Sequence, residues 1–164
     1  VEENHLNVKD GVREVVVGPV PCDQVPRHWA AVHEWLDAAL AHSQQNELTM
    51  PELYKGLRNG TYVLCLVIER AEPDRDLPQR LVGAAVLMLS VDPLGFGYVG
   101  VMCLGGVEVE TWLGEMVEFA KAVAREHQCD SVVAVGRIGW RWLLQAQGAK
   151  MVAGVFKLDV KAGD

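Results

Sequence analysis

The apolar positions of this chain come in two kinds of block: short continuous runs and stripes at helical spacing. Val12 to Val17 contains VREVVV, a β-branched run that predicts a strand, with Gly18-Pro19 as its end. Asp23 is placed to cap a helix whose first turn holds Pro26. Apolar residues then recur at Val25, Trp29, Val32, Leu36, Ala39 and Leu40, one face of a helix over Val25–His42. Thr49-Met-Pro-Glu52 reads as a capping box with Pro51 in the first turn. The short helix it opens, Thr49–Asn59, buries Leu53 and Leu57, and Gly60 is placed to stop it.

Three strand candidates follow. Thr61–Ile68 (TYVLCLVI) is almost wholly apolar, as a strand covered on both faces must be. Glu69–Arg80 is charged and holds two prolines, so it reads as a solvated loop. Leu81–Val91 is a second apolar run, Asp92–Gly97 a turn, and Tyr98–Leu104 a third run in which Gly100 marks a bulge. Their short connections predict an antiparallel meander.

Gly105-Gly106 breaks the chain before a long helix with a stripe at Val109, Trp112, Leu113, Met116, Val117, Ala120, Val123 and Ala124, ending near His127. Ser131–Val135 predicts a further strand. Gly136–Gln147 predicts a shorter helix with Trp140, Leu143, Leu144 and Gln147 on one side, stopped by Gly148. Lys150–Val160 supplies the last strand material. The order is strand, helix, helix, three strands, helix, strand, helix, strand. It predicts an α/β fold (α+β mixed sheet) in one domain spanning 1–164, with 1–11 and 161–164 loose. The strand, long helix and strand at its middle predict a right-handed parallel crossover.

Composition narrows the function classes. Half of the 164 residues are hydrophobic, which suits a chain able to bury its own core. The net charge of −7 opposes general binding to nucleic acid or to an anionic membrane. No apolar run approaches the roughly 18 residues of a membrane span, and no segment reads as a signal peptide. Cys22, Cys65, Cys103 and Cys129 form no CxxC pair. Cys65 and Cys103 lie within apolar runs and read as buried reduced thiols, so the expected setting is cytoplasmic. His33-Glu34 lacks the second histidine of a zinc helix, and no metal is expected. Trp29, Trp112 and Trp140 fall on helix core faces. Trp35 and Trp142 fall off them and are expected to be exposed.

The element order from Val12 to Val160 resembles the GNAT N-acetyltransferase superfamily. The local likeness lies in Cys129 to Ala149, CDSVVAVGRIGWRWLLQAQGA. Within it, Gly136 to Trp140 is similar to the GNAT-like proteins that tailed bacteriophages encode. The resemblance implies a splayed central sheet. Tyr98–Leu104 and Ser131–Val135 part, and the arm of acetyl-CoA pairs into the gap. It implies that a backbone amide near Met102 or Cys103 steadies the oxyanion. It further implies that Leu104, Gly105, Gly106 and Val107 hold the pyrophosphate. Separately, Ser131 to Leu158 holds no Asp or Glu but has Arg137, Arg141, Lys150 and Lys157, a basic region that reads either as an anion site for a cofactor phosphate or an acidic partner, or as a solvated face balanced by Glu108, Glu110, Glu115 and Glu118. The acceptor, an unknown amine, would approach from the side of the first two helices.

The chain departs from the family at several of these positions. The Arg/Gln-x-x-Gly-x-Gly/Ala pattern is replaced by Gly105-Gly106 followed by Glu108 and Glu110. Leu144 stands where members often carry a tyrosine, Arg137 where they carry an asparagine and Trp140 where they carry a small alanine. Tyr98–Leu104 holds no carboxylate to act as a base. Two functions are therefore weighed. One is an acyl-coenzyme A-dependent N-acyltransferase whose catalytic residues are unknown. The other is an inert GNAT-fold structural or interaction component, for example of a phage particle, with a protein partner or a second copy docking on its exposed tryptophans. A phage origin, which the Gly136 to Trp140 segment implies, would put the chain in the host cytoplasm or the virion.

Overall fold

The computed structural model describes residues 13–42, 48–71, 79–134 and 140–151. Its first strand, β1 (Arg13–Val20), does not stop at Gly18-Pro19. It runs through both and pairs antiparallel with β2 (Val63–Ala71), Pro19 standing opposite Cys65. Among the described residues β1 has a strand neighbour on one side only, so a residue without an N–H can point its bare nitrogen outward and break no ladder bond. Glu14 and Arg70 face each other in this register and form a salt bridge.

Asp23 does not cap the next helix. It lies inside a short 3-10 turn, Cys22–Gln24, and α1 (Val25–Ala41) starts behind Gln24 with Pro26 in its first turn. Val25, Val32, Leu36 and Leu40 form its buried side. α2 (Met50–Asn59) carries the predicted capping box. The Glu52 amide donates to the Thr49 hydroxyl, and the Thr49 amide donates to the Glu52 carboxylate. Gly60 closes α2 at φ 82°, a conformation that costs glycine nothing.

β2 starts two residues later than the apolar run and continues into Glu69-Arg70-Ala71, charged residues that the sequence places in a loop. β3 (Arg80–Val91) and β4 (Gly97–Gly106) complete the antiparallel meander. Their turn is held by Asp92, whose carboxylate accepts the Leu94 and Phe96 amides at 2.9 Å each. A 3-10 turn, Val109–Thr111, leads into α3 (Leu113–Glu126). β5 (Ser131–Ala134) then pairs parallel with β4. α4 (Arg141–Ala146) ends at Gly148, φ 86°. Val135 to Gly139, including Arg137, lie outside the described residues, as do residues 152–160 of the expected last strand.

The five strands stand in the order β1-β2-β3-β4-β5. Two apolar layers sandwich them. Leu64 and Leu66 of β2, Ala84 and Val86 of β3 and Cys103 of β4 pack on α1 and α2. Cys65, Val67, Val82, Ala85, Leu87 and Val99 pack on Trp112, Met116 and Ala124 from the α3 side. The continuous apolar runs of β2 and β3 follow from this double cover.

Candidate functional site

The alternation of faces along β4 fails at one point. Val101 packs on the α3 side, Met102 and Cys103 both face α1, and Leu104 returns to the α3 side. The ladder shows why. Cys103 opposes Val86 and Val101 opposes Leu87, leaving Met102 as an extra residue. The β-bulge is therefore at Met102 and not at Gly100, which keeps its partner Met88. A Cβ at Gly100 would meet the Met88 and Tyr98 side chains only at ordinary contact distances, 3.5 and 3.6 Å, so packing does not demand glycine there.

The bulge follows directly on the last described pair between β4 and β5, Val101 with Ala134. Beyond it, Cys103 to Gly106 pair only with β3 among the described residues. A bulge leaves its extra residue out of the ladder and sharpens the local twist, so the main chain changes direction here. Cys103 is buried, and desolvation pushes its thiol up to about 12. Cys65, buried on the other face, is pushed up to about 12 by the same cause. Neither thiol is a nucleophile at neutral pH, because only the thiolate attacks.

The loop after the bulge is built by packing. Gly105 faces α1, where a Cβ would fall 2.8 Å from the Trp35 carbonyl oxygen. Gly106 stands opposite Gly83, so two Cβ atoms are missing from one cross-strand pair. The slot this leaves is filled by the fully buried indole of Trp112. A Cβ on Gly83 would come 2.4 Å from its ring, and one on Gly106 would come 2.2 Å from the Val82 carbonyl oxygen. Trp112 also donates its ring N–H to the Val107 carbonyl at 2.9 Å, while the Val107 amide donates to Val82 at 2.8 Å. Val82 is itself the extra residue of a second bulge, between β2 and β3.

Val107 is thereby clamped on both sides, and its amide is already used. Glu108 follows at φ 49°, an uncommon conformation for a side chain that crowds its own carbonyl. The amides of Glu108, Val109 and Glu110 have no backbone partner among the described residues, and neither do those of Leu113, Gly114 and Glu115 at the start of α3. This is the ordinary helix-start surplus of donors, which favours an anion. Glu108, Glu110 and Glu115 are exposed beside it and oppose one.

Among the expected site residues, Met102 to Val107 thus form one continuous stretch, and Arg137 lies outside the described residues. Arg141 and Lys150 are exposed, and Leu144 is half-buried. Trp35 is not an exposed anchor but packs against the α1 core, whereas Trp142 is 76% exposed. The clamp on Val107 was missed because Trp112 reads as one more member of the α3 stripe. Its signal in the sequence is the pair of glycines, Gly83 and Gly106, which strand register sets opposite each other. No group of metal-binding side chains occurs among the described residues. None of their helices is long and apolar enough to cross a membrane.

No protein-family model and no curated protein matches this chain. Solved structures do. An aminoglycoside acetyltransferase from an uncultured soil metagenomic sample, solved with trehalose, is 10% identical at a TM-score of 0.59, over 90% of this chain and 97% of that one. Glucosamine-6-phosphate N-acetyltransferase from Arabidopsis thaliana is 11% identical at 0.53, over 92% and 99%. A predicted acetyltransferase from Clostridium acetobutylicum, solved with acetyl-CoA, is 8% identical at 0.59, over 89% and 96%. At such identities the likeness is one of fold, and it agrees with the mixed sheet and its two helical layers: the chain has the fold of the GNAT acetyltransferases.

Proposed function

We propose that the protein is an acyl-coenzyme A-dependent N-acyltransferase, with acetyl-CoA as donor and an amine as acceptor. One observation carries the reading. The bulge at Met102 takes that residue out of the ladder with β3 and turns the main chain beside the parallel β4–β5 pair, within a fold shared with acetyltransferases. An extended amide-bearing arm would bond main-chain groups turned out of the sheet in this way, as an added strand does.

The residues present fit the donor through their backbone. Met102 to Gly106 would offer main-chain groups to its arm, and the amides of Glu108, Val109 and Glu110, which have no backbone partner among the described residues, would offer donors to the phosphates. The Val107 clamp keeps those amides from turning inward. When bound, the thioester supplies an activated acyl carbonyl. An amide of the bulge, at Met102 or Cys103, would stabilise the charge that builds on the oxygen of that carbonyl. The Cys103 thiol stays protonated and takes no covalent part. With no carboxylate on β4 and leucine at position 144, rate enhancement rests on orientation and exclusion of water. Arg137, outside the described residues, is the sequence's candidate cation for the phosphates, and the phage-like Gly136–Trp140 segment suggests a virus-encoded member of the fold.

Isothermal titration with acetyl-CoA tests the proposal. A saturable heat with a dissociation constant in or below the millimolar range is expected. Absence of heat at millimolar acetyl-CoA, with the protein folded by circular dichroism, overturns it.

A further inference from the structure

β3 outruns its neighbour β2. The pairing of the two ends at Leu87, opposite Val63. Tyr62, just before Val63, gives its amide to the Gly56 carbonyl at 3.1 Å, so the chain there turns to α2 and not along the sheet. β3 and β4 run on together, from Met88 opposite Gly100 to Val91 opposite Gly97. The alternation of an antiparallel ladder decides where the main chain of this overhang points. The Asp92 amide bonds to the Phe96 carbonyl at 2.9 Å, so Asp92, and by alternation Ser90 and Met88, turn their groups to β4. Leu89 and Val91 turn theirs to the side that β2 has left. Gly97, opposite Val91, agrees with this phase, because its carbonyl accepts the Asp130 amide from the β5 side at 2.8 Å.

The side chains of the overhang are open as well. Leu89 and Val91 continue the row of Ala85 and Leu87 on the α3 side, yet are 50% and 63% exposed. In the turn beyond them, Leu94 is 81% and Phe96 55% exposed. Met88 to Val91 hold no charge and no proline, the devices that keep strand edges from pairing with other chains. β1 has both, in Arg13, Glu14 and Pro19. At these exposures the four apolar side chains present roughly 400–500 Å², the size of patches that mark contact sites.

We propose that this overhang joins two copies of the chain edge to edge, β3 lying antiparallel to β3 of the second copy about a two-fold axis at Ser90. The stretch is complementary to itself. With Ser90 on the axis, Leu89 stands opposite Val91 of the other copy and Val91 opposite its Leu89, so each outward N–H meets an outward carbonyl. The same residues form apolar cross-strand pairs over the join. Two such patches remove roughly 800–1,000 Å² from water, the low end for a specific contact, which makes the dimer weak. The join lies at the opposite end of β4 from Met102–Gly106, and the proposal does not depend on acyl transfer.

Sedimentation equilibrium of the whole chain, loaded from about 1 to 500 μM, tests it, and a monomer–dimer equilibrium with a dissociation constant on the order of 10–100 μM is expected. Leu89→Lys and Val91→Glu each alter an exposed side chain, and circular dichroism verifies the fold of both. Each should weaken the dimer about tenfold or more, while Val16→Lys, at an exposed position in β1, should leave it unchanged. Only the register about Ser90 sets position 89 of one copy against position 91 of the other. An equimolar mixture of the Leu89→Lys and Val91→Glu proteins should therefore associate several-fold more tightly than either alone. A chain that sediments as a monomer throughout overturns the proposal. So does a dimer that Leu89→Lys leaves unchanged, or a mixture that associates no better than its parts.

Discussion

Trp112 is the side chain on which the candidate donor loop rests, and its removal should be costly out of proportion to one residue. The indole is fully buried, fills the slot between Gly83 and Gly106 and makes one hydrogen bond to Val107. Trp112→Ala removes the ring and leaves a cavity that strands β3 and β4 cannot close, because their own pairing fixes their spacing. Truncations of this kind cost about 3–5 kcal/mol. The unpaired Val107 carbonyl adds roughly 1 kcal/mol. Domains of this size lose roughly 2–4 °C of midpoint per kcal/mol, so a fall of order 10 °C or more is expected. Urea denaturation followed by far-ultraviolet circular dichroism measures it without depending on tryptophan emission. A double-mutant cycle sharpens the test. Gly83→Ala alone drives a methyl to 2.4 Å from Cζ2 of the indole and should cost about 1–3 kcal/mol. Against Trp112→Phe, whose smaller ring lacks that atom, the same change should cost less than half as much. A loss under about 1 kcal/mol for Trp112→Ala, or strict additivity in the cycle, would refute the wedge argument.

Three further outcomes follow from the core and the caps. Cys22 is exposed while Cys65 and Cys103 are buried, with thiols held near 12 against an ordinary 9.0. At pH 8, iodoacetamide should therefore label Cys22 within minutes and the two buried thiols only on unfolding, as mass spectrometry of digests would read; rapid native labelling of Cys103 would contradict its burial. The same shifts fix a pH dependence. Burial favours the neutral thiol, so this stabilisation is complete below the unfolded pKa near 9 and is lost as pH rises toward 12, which urea titrations between pH 8 and 11 should show as falling stability. Thr49→Ala removes the hydroxyl that receives the Glu52 amide and should cost about 1 kcal/mol by urea denaturation, with Thr49→Ser recovering most of it; equal losses in both would deny the cap its role.

Much of this architecture could be read from one-dimensional pattern. The capping box at Thr49, the helix stops at Gly60 and Gly148, the meander and the α3 stripe each depend on residues a few positions apart, so local spacing encodes them. The boundaries that moved did so for tertiary reasons. Pro19 stays in β1 because, among the described residues, that strand lies at the sheet edge, and Glu69 and Arg70 stay in β2 because β1 pairs with them. The stretch Met102–Val107 was also legible as a candidate site, through the resemblance in element order. What makes it a site was not. The bulge at Met102 exists only in the register of β4 against β3, and the slot for Trp112 exists only because register sets Gly83 opposite Gly106. Local propensity acts over a few residues and is written in the chain. Register and helix docking join positions tens of residues apart, and only the burial achieved in the folded state decides them.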